Sequence, residues 1–308
     1  MDNHSKSTGL LLLLSVLFIT NPSQAASVNS GATVLYNEGW SSLTPVYGTP
    51  TNSAGNSTSV VSYTNGGLAA GAYGKASFGA LHASASSVAA GDHTQTRGQG
   101  DAYWTDRLTI SNSALTGTAA FARASFNLSG GLASYSGATS VGAAGNSTVA
   151  ATVSINGGTV YSTTGQLVSR NGAIETNDIR RGIATNGAYQ TDPASSLTGV
   201  FSFDIPFIFG TAFQMNASLT AFTQAIASAG GDQASAYSTF DSSGYWGGIS
   251  DIHLADGTVL GGYSLISDSG FNWSSAYPTA VPVPTTMWLF GSGIIGLAGL
   301  ARRQRRKI

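Results

Sequence analysis

Phe201, Phe203, Ile205, Phe207 and Phe209 fill every second position of one short stretch, and that alternation limits the fold more than any other feature. A period of two places all five side chains on one face of a strand, whereas a helix would scatter them around its axis. After Gly210-Thr211 the pattern resumes with Phe213, Met215, Ala217, Leu219 and Ala221. Val149, Ala151, Val153 and Ile155 repeat it upstream, and Asn156-Gly157-Gly158 then turns the chain into Thr159-Val160-Tyr161. Asn-Gly supplies the positive φ of a tight turn, so this stretch predicts a hairpin. Pro206 lies opposite the phenylalanines and lacks an N–H, which assigns its strand to a sheet edge or a bulge.

Further strands follow the same logic. Trp104, Asp106, Leu108 and Ile110 share one face, as do Ala120, Ala122, Ala124, Phe126 and Leu128. Ile252-His253-Leu254 and Thr258-Val259-Leu260 flank a tight turn at Asp256-Gly257. Strand signals recur roughly every 10–15 residues with no helical stretch between them, the spacing of an all-β domain, a β-sandwich or jelly roll. The most charged stretch, Arg170 to Arg181, reads as a solvated loop. A similarity between Ala54–Gly67 and Ala144–Gly158 (AGNST…NGG) is put down to composition.

Charged residues are 9% of the chain against about 25% in ordinary globular proteins. Forty glycines, with abundant Ala, Ser and Thr, stand in their place, and 42% apolar residues argue against disorder. No cysteine is present, so core and sheet alone must hold the domain.

Both ends of the chain read as addresses. Lys6 precedes the apolar run Leu10 to Ile19, and Ser23-Gln24-Ala25 is a small-x-small site, which predicts a signal peptide over residues 1–25 cut between Ala25 and Ala26. At the far end, Gly291, Gly293 and Gly296 match the G-x-G-x-x-G of a dinucleotide turn. That reading fails because twelve residues follow, none acidic, and no second strand can be built. Met287 to Ala301 is uncharged and, with the threonines before it, close to the ~18–20 residues of a membrane span. Arg302, Arg303, Arg305, Arg306 and Lys307 follow as a basic stop on the cytoplasmic side.

Val281-Pro282-Val283-Pro284, then Trp288-Leu289-Phe290-Gly291-Ser292-Gly293, the Gly-rich apolar helix and the basic cluster together resemble a PEP-CTERM sorting signal. Val283 stands where the family has Glu. The resemblance implies export in a bacterium with a Gram-negative envelope and transient anchoring in the inner membrane by the C-terminal helix. It further implies processing by an exosortase near the Pro motif, and association with exopolysaccharide and biofilm at the cell surface or in the matrix. The implied partners are the export translocon, signal peptidase, the exosortase and exopolysaccharide. The expected organisation is a signal peptide over 1–25, an exported β-rich domain over 26–280 and the sorting signal over 281–308. Within the exported domain seven Lys and Arg face thirteen Asp and Glu, a net charge near −6 with no basic patch. Nucleic acid is therefore not an expected partner.

Chemistry is sparse. No G-x-S-x-G elbow, H-E-x-x-H or EF-hand loop occurs. His82, His93, Asp101 and Asp106 are near one another in sequence, but abundant loop Ser and Asp make a triad there a coincidence. No cofactor is expected, although Asp251, Asp256 and Asp268 are the residues that would furnish oxygens to a structural Ca²⁺. Tyr245, Trp246 and Trp273 either complete the core or stack on sugar rings. The expected function is a non-catalytic surface or matrix protein, and the alternative is a glycan-binding module or polysaccharide-active enzyme.

Overall fold

The computed structural model describes residues 26–38, 42–137 and 142–278, so the leader, the Pro motif, the apolar span and the basic tail lie outside it. The described residues form eighteen strands and no helix, hence none long and apolar enough to cross a membrane. In chain order they are β1 (Ser27–Glu38), β2 (Thr44–Tyr47), β3 (Thr51–Ser53), β4 (Asn56–Asn65), β5 (Leu68–Ser77) and β6 (Ala80–Ala90). Next come β7 (Thr94–Ser111), β8 (Ala119–Leu128), β9 (Gly131–Ser136), β10 (Ala144–Ile155), β11 (Gly158–Arg170) and β12 (Ala173–Thr185). The last six are β13 (Ala188–Pro193), β14 (Gly199–Ile208), β15 (Ala212–Ala227), β16 (Gln233–His253), β17 (Val259–Leu260) and β18 (Ser264–Ser267).

They make two nine-stranded antiparallel sheets packed face to face. The first runs β13-β12-β11-β10-β15-β7-β1-β2, with β18 also on β7. The second runs β14-β8-β16-β6-β5-β4-β3, with β9 and β17 also on β16. The all-β expectation holds as a β-sandwich. Pro206 sits in β14, the edge strand of the second sheet, as its missing N–H requires.

Turn chemistry builds one whole edge. Asn156-Gly157, Asn171-Gly172 and Asn186-Gly187 each join two strands through a two-residue loop, with Asn φ of 49°, 49° and 48°. Three identical turns fifteen residues apart fold β10 to β13 into a meander. Arg170 to Arg181 is thus not a loop but the β11–β12 hairpin, in which Arg170, Glu175, Asp178 and Arg180 stand exposed on a paired ladder while Arg181 lies over the buried Phe201 ring. Charge density misled there because an outward strand face tolerates it as readily as a loop does.

The two sheets meet in two chemically different halves. One half is aromatic, with Trp104, Tyr161, Phe126, Phe203, Trp246 and Trp273 all buried in a single cluster. Trp104 and Trp273 ring centroids are 4.6 Å apart, and Tyr161 and Phe203 are 5.5 Å apart. The other half, where β1 and β7 face β5 and β6, is lined by Ala32, Ala70, Ala72, Gly74, Gly98 and Gly100. A Cβ built on Gly74 would lie 2.6 Å from the Gly31 carbonyl oxygen, and one on Gly100 would lie 2.6 Å from that of Ser84. Backbones of opposite sheets therefore touch there, closer than the ~10 Å usual between stacked sheets. The alanine and glycine content of the chain is a packing requirement of this half.

Candidate functional site

The aromatic residues named from sequence separate once placed. Trp246 and Trp273 are buried, at 1% and 0% exposure, in the aromatic core. Trp246 Nε1–H donates to the Trp273 carbonyl at 2.8 Å, and the two rings meet edge to face at 5.4 Å. Neither ring offers a face to a sugar, so stacking by these two is corrected to a core role. Tyr245 alone stays on the outer face of the second sheet, half-buried, stacked on Tyr277 at 5.6 Å and edge-on to His82. A strand reverses its faces at each residue, and that separates neighbours 245 and 246.

Trp273 is held by an acid. The buried Asp106 carboxylate accepts from Trp273 Nε1 at 2.6 Å, from Ser269 Oγ at 2.5 Å, from Ser269 N at 3.1 Å and from Arg107 N at 2.8 Å. With β18 paired to β7, these bonds clasp the segment from Ser264 to Trp273 onto the first sheet. All of Asp106's acceptor capacity is spent on structure.

The densest titratable cluster was not legible in sequence. It sits on the outer face of the second sheet, where Asp204 of β14, Arg123 of β8, and Asp251 and His253 of β16 come side by side. Arg123 Nε donates to Asp204 Oδ1 at 3.0 Å and its second nitrogen reaches Oδ2 at 3.3 Å. The tip of the β12–β13 hairpin covers the cluster, with Asn186 N–H donating to Asp204 Oδ2 at 2.8 Å. His253 bridges Asp251 (Nδ1 to Oδ1, 2.8 Å) and the Asn186 side chain (Nε2 to Oδ1, 3.3 Å), and its ring lies over Phe121. Bidentate pairing with Asp204 pushes the Arg123 guanidinium further up from its ordinary range. Both His253 nitrogens are engaged by protein groups, and Asp204 is 1% exposed. The arrangement fastens a hairpin of one sheet to the outer face of the other.

The remaining sequence candidates do not converge. His82 binds the Asp241 carbonyl on the second sheet, and His93 pairs with Asp92 in a turn. Asp101 lies on the outer face of the first sheet, where burial pushes its carboxyl up while Thr220 and Gln99 donate to it. Asp251 is taken by His253 and Ser250, and Asp256 caps its own turn at Thr258 N. Among the described residues no three His, Cys, Asp or Glu gather as a metal site would need.

Around Asp101 the first sheet carries a polar ladder on its outer face. Tyr103 OH and Thr105 Oγ1 both donate to Asn216 Oδ1, at 3.0 and 2.5 Å, and Thr152 and Ser218 hydroxyls share a 2.7 Å bond. This face satisfies its own polar groups. On the outer face of the second sheet Tyr135 and Tyr237 stand out at 58% and 41% exposure, and on the first sheet Tyr47 of β2 does so at 71%.

A family model described as the PEP-CTERM protein-sorting motif matches residues 280–306. Val281, Pro282, Val283, Pro284, Arg302, Arg303, Arg305 and Arg306 fall inside the match, Lys307 one residue beyond it, and all lie outside the described residues. No curated protein and no solved structure matches the chain. The matched segment opens two residues after the last described residue, Pro278, and so follows the clasped end of the sandwich directly. Behind its β-sandwich the chain carries a PEP-CTERM protein-sorting motif, the signal of exosortase-sorted extracellular proteins in Gram-negative bacteria.

Proposed function

We propose that the exported domain is a non-catalytic component of the cell surface or extracellular matrix, associated there with exopolysaccharide. The observation that carries this reading is the use made of the reactive side chains. Asp106, Asp204, Asp251 and His253 are spent on fastening strands and a hairpin. A polysaccharide hydrolase needs two carboxylates about 5–10 Å apart across an open cleft. The buried acids here face backbone amides, an indole and a guanidinium instead.

Delivery completes the proposal. Signal peptidase removes residues 1–25 after translocation, and β1 begins at Ser27, so a new N-terminus at Ala26 leaves its ladder with β7 whole. The apolar segment then holds the chain in the inner membrane until the exosortase cuts near Val281–Pro284. The test is to incubate the purified mature protein with the polysaccharide of the producing cells and follow polymer length by size-exclusion chromatography. Unchanged length together with recovery of the protein in the matrix fraction is expected; progressive shortening would overturn the non-catalytic reading.

A further inference from the structure

We infer that the outer face of the second sheet holds a binding groove for an uncharged polysaccharide chain, with Tyr135 and Tyr237 as its stacking platform. The inference rests on the surface role proposed above and assigns that role to one place.

The groove lies between the Gly66-Gly67 turn joining β4 to β5 and the ends of β9 and β16, and its volume is ≈ 420 Å³. Tyr135 pairs across from Ser235, and Tyr237 pairs across from Ala133 on one side and Ser86 on the other. Each ring is therefore flanked in its own row by small side chains, which leaves its faces to solvent. Diagonal neighbours on adjacent strands stand about 7–8 Å apart, so the two rings lie beneath different units of a polymer rather than beneath one. A phenol ring offers an apolar face to the C–H side of a sugar and a hydroxyl at its edge. Thr64, Gln233 and Ser235 line the same groove and supply the hydroxyl and amide groups that bond sugar hydroxyls.

Charge selects the class of occupant. No Asp, Glu, Lys or Arg lines the groove. An anionic polymer would find no cation there and would meet a domain of net charge near −6. On the first sheet the hydroxyls and amides around Asp101 are instead bonded to one another. Two exposed tyrosines above a hydroxyl-lined, charge-free groove fit a neutral glycan.

The test is native affinity electrophoresis of the mature protein in gels holding xyloglucan, mixed-linkage β-glucan or galactomannan, with anionic alginate as the contrast. Retardation by at least one neutral polymer and none by alginate is expected. Tyr135→Ala and Tyr237→Ala should each weaken it about tenfold, the worth of one lost stacking contact, and the double variant should abolish it. Tyr→Phe at either position should retain it, and every variant should still unfold in one cooperative transition, since neither ring belongs to the buried core. The inference is overturned if no neutral polymer retards the protein, or if the Ala variants run like wild type. It is equally overturned if the same variants instead abolish self-association in sedimentation, which would make the face a contact between copies. Shortening of the polymer during the run would remove the non-catalytic reading and leave the groove standing. Matrix retention with no retardation would remove the groove and leave that reading.

Discussion

Tyr161 shows how one buried residue sets a measurable property of the domain. Its ring stacks between Phe201 and Phe203, the Thr163 hydroxyl donates to its oxygen at 2.8 Å, and burial pushes its phenol up to about 12. In the unfolded chain a tyrosine titrates near 10. Between those values the native state keeps a proton that the unfolded state has lost, so stability falls as pH rises through that window, by roughly 2–3 kcal/mol in all. Urea midpoints measured from pH 9 to 12 should therefore decline more steeply for wild type than for Tyr161→Phe. At Trp273 the cost is one of volume: Trp273→Ala should lose about 3–5 kcal/mol by opening a cavity against Trp104 and Trp246. Asp106→Ala leaves the Trp273 indole N–H and Ser269 without their acceptor, and should cost about 2–4 kcal/mol in the same denaturation assay.

Among elements, the β12–β13 hairpin depends on a contact outside its own sheet. Asp204→Ala removes the acceptor of the Asn186 N–H and the partner of Arg123. Hydrogen exchange should then show faster exchange at Asn186 and Gly187, with β7 and β15 at the sheet centre unaffected. Elements were legible in the sequence where alternation and turn chemistry agreed. Phe201–Phe209, Val149–Ile155 and the Asn156-Gly157 turn all stand as read. The turn at Asn171 carried the same signal, yet the charges from Arg170 to Arg181 suggested a loop. β5 and β6 gave little hydrophobic contrast because alanine and glycine fill most of their inward positions, and the reason lies in the opposite sheet's backbone. The Asp204–His253 cluster was invisible for a related reason: its members come from three strands and a turn, with Arg123 and His253 separated by 130 residues of chain. The tyrosine groove was equally hidden, since pairing of β9 with β16 brings Tyr135 to Tyr237.

For the whole molecule, the contrast between its aromatic and small-residue halves explains how a chain with so few charges and no cysteine holds together. The small half requires contact between backbones, so Gly100→Val should be worse than an ordinary enlargement. A loss of at least the ~1–3 kcal/mol of overpacking is expected from its denaturation midpoint. The clasp of Asp106 on Ser269 and Trp273 lies ahead of the sorting motif that begins at residue 280, so every strand among the described residues and the clasp itself precede a cut near Pro282. We propose that this β-sandwich is released from its C-terminal address by a cut near Val281–Pro284. Intact-mass measurement of the protein recovered from the extracellular fraction tests this most directly. A mass running from Ala26 to the Val281–Pro284 region is predicted, and extracellular protein still carrying Arg302 to Ile308 would contradict it.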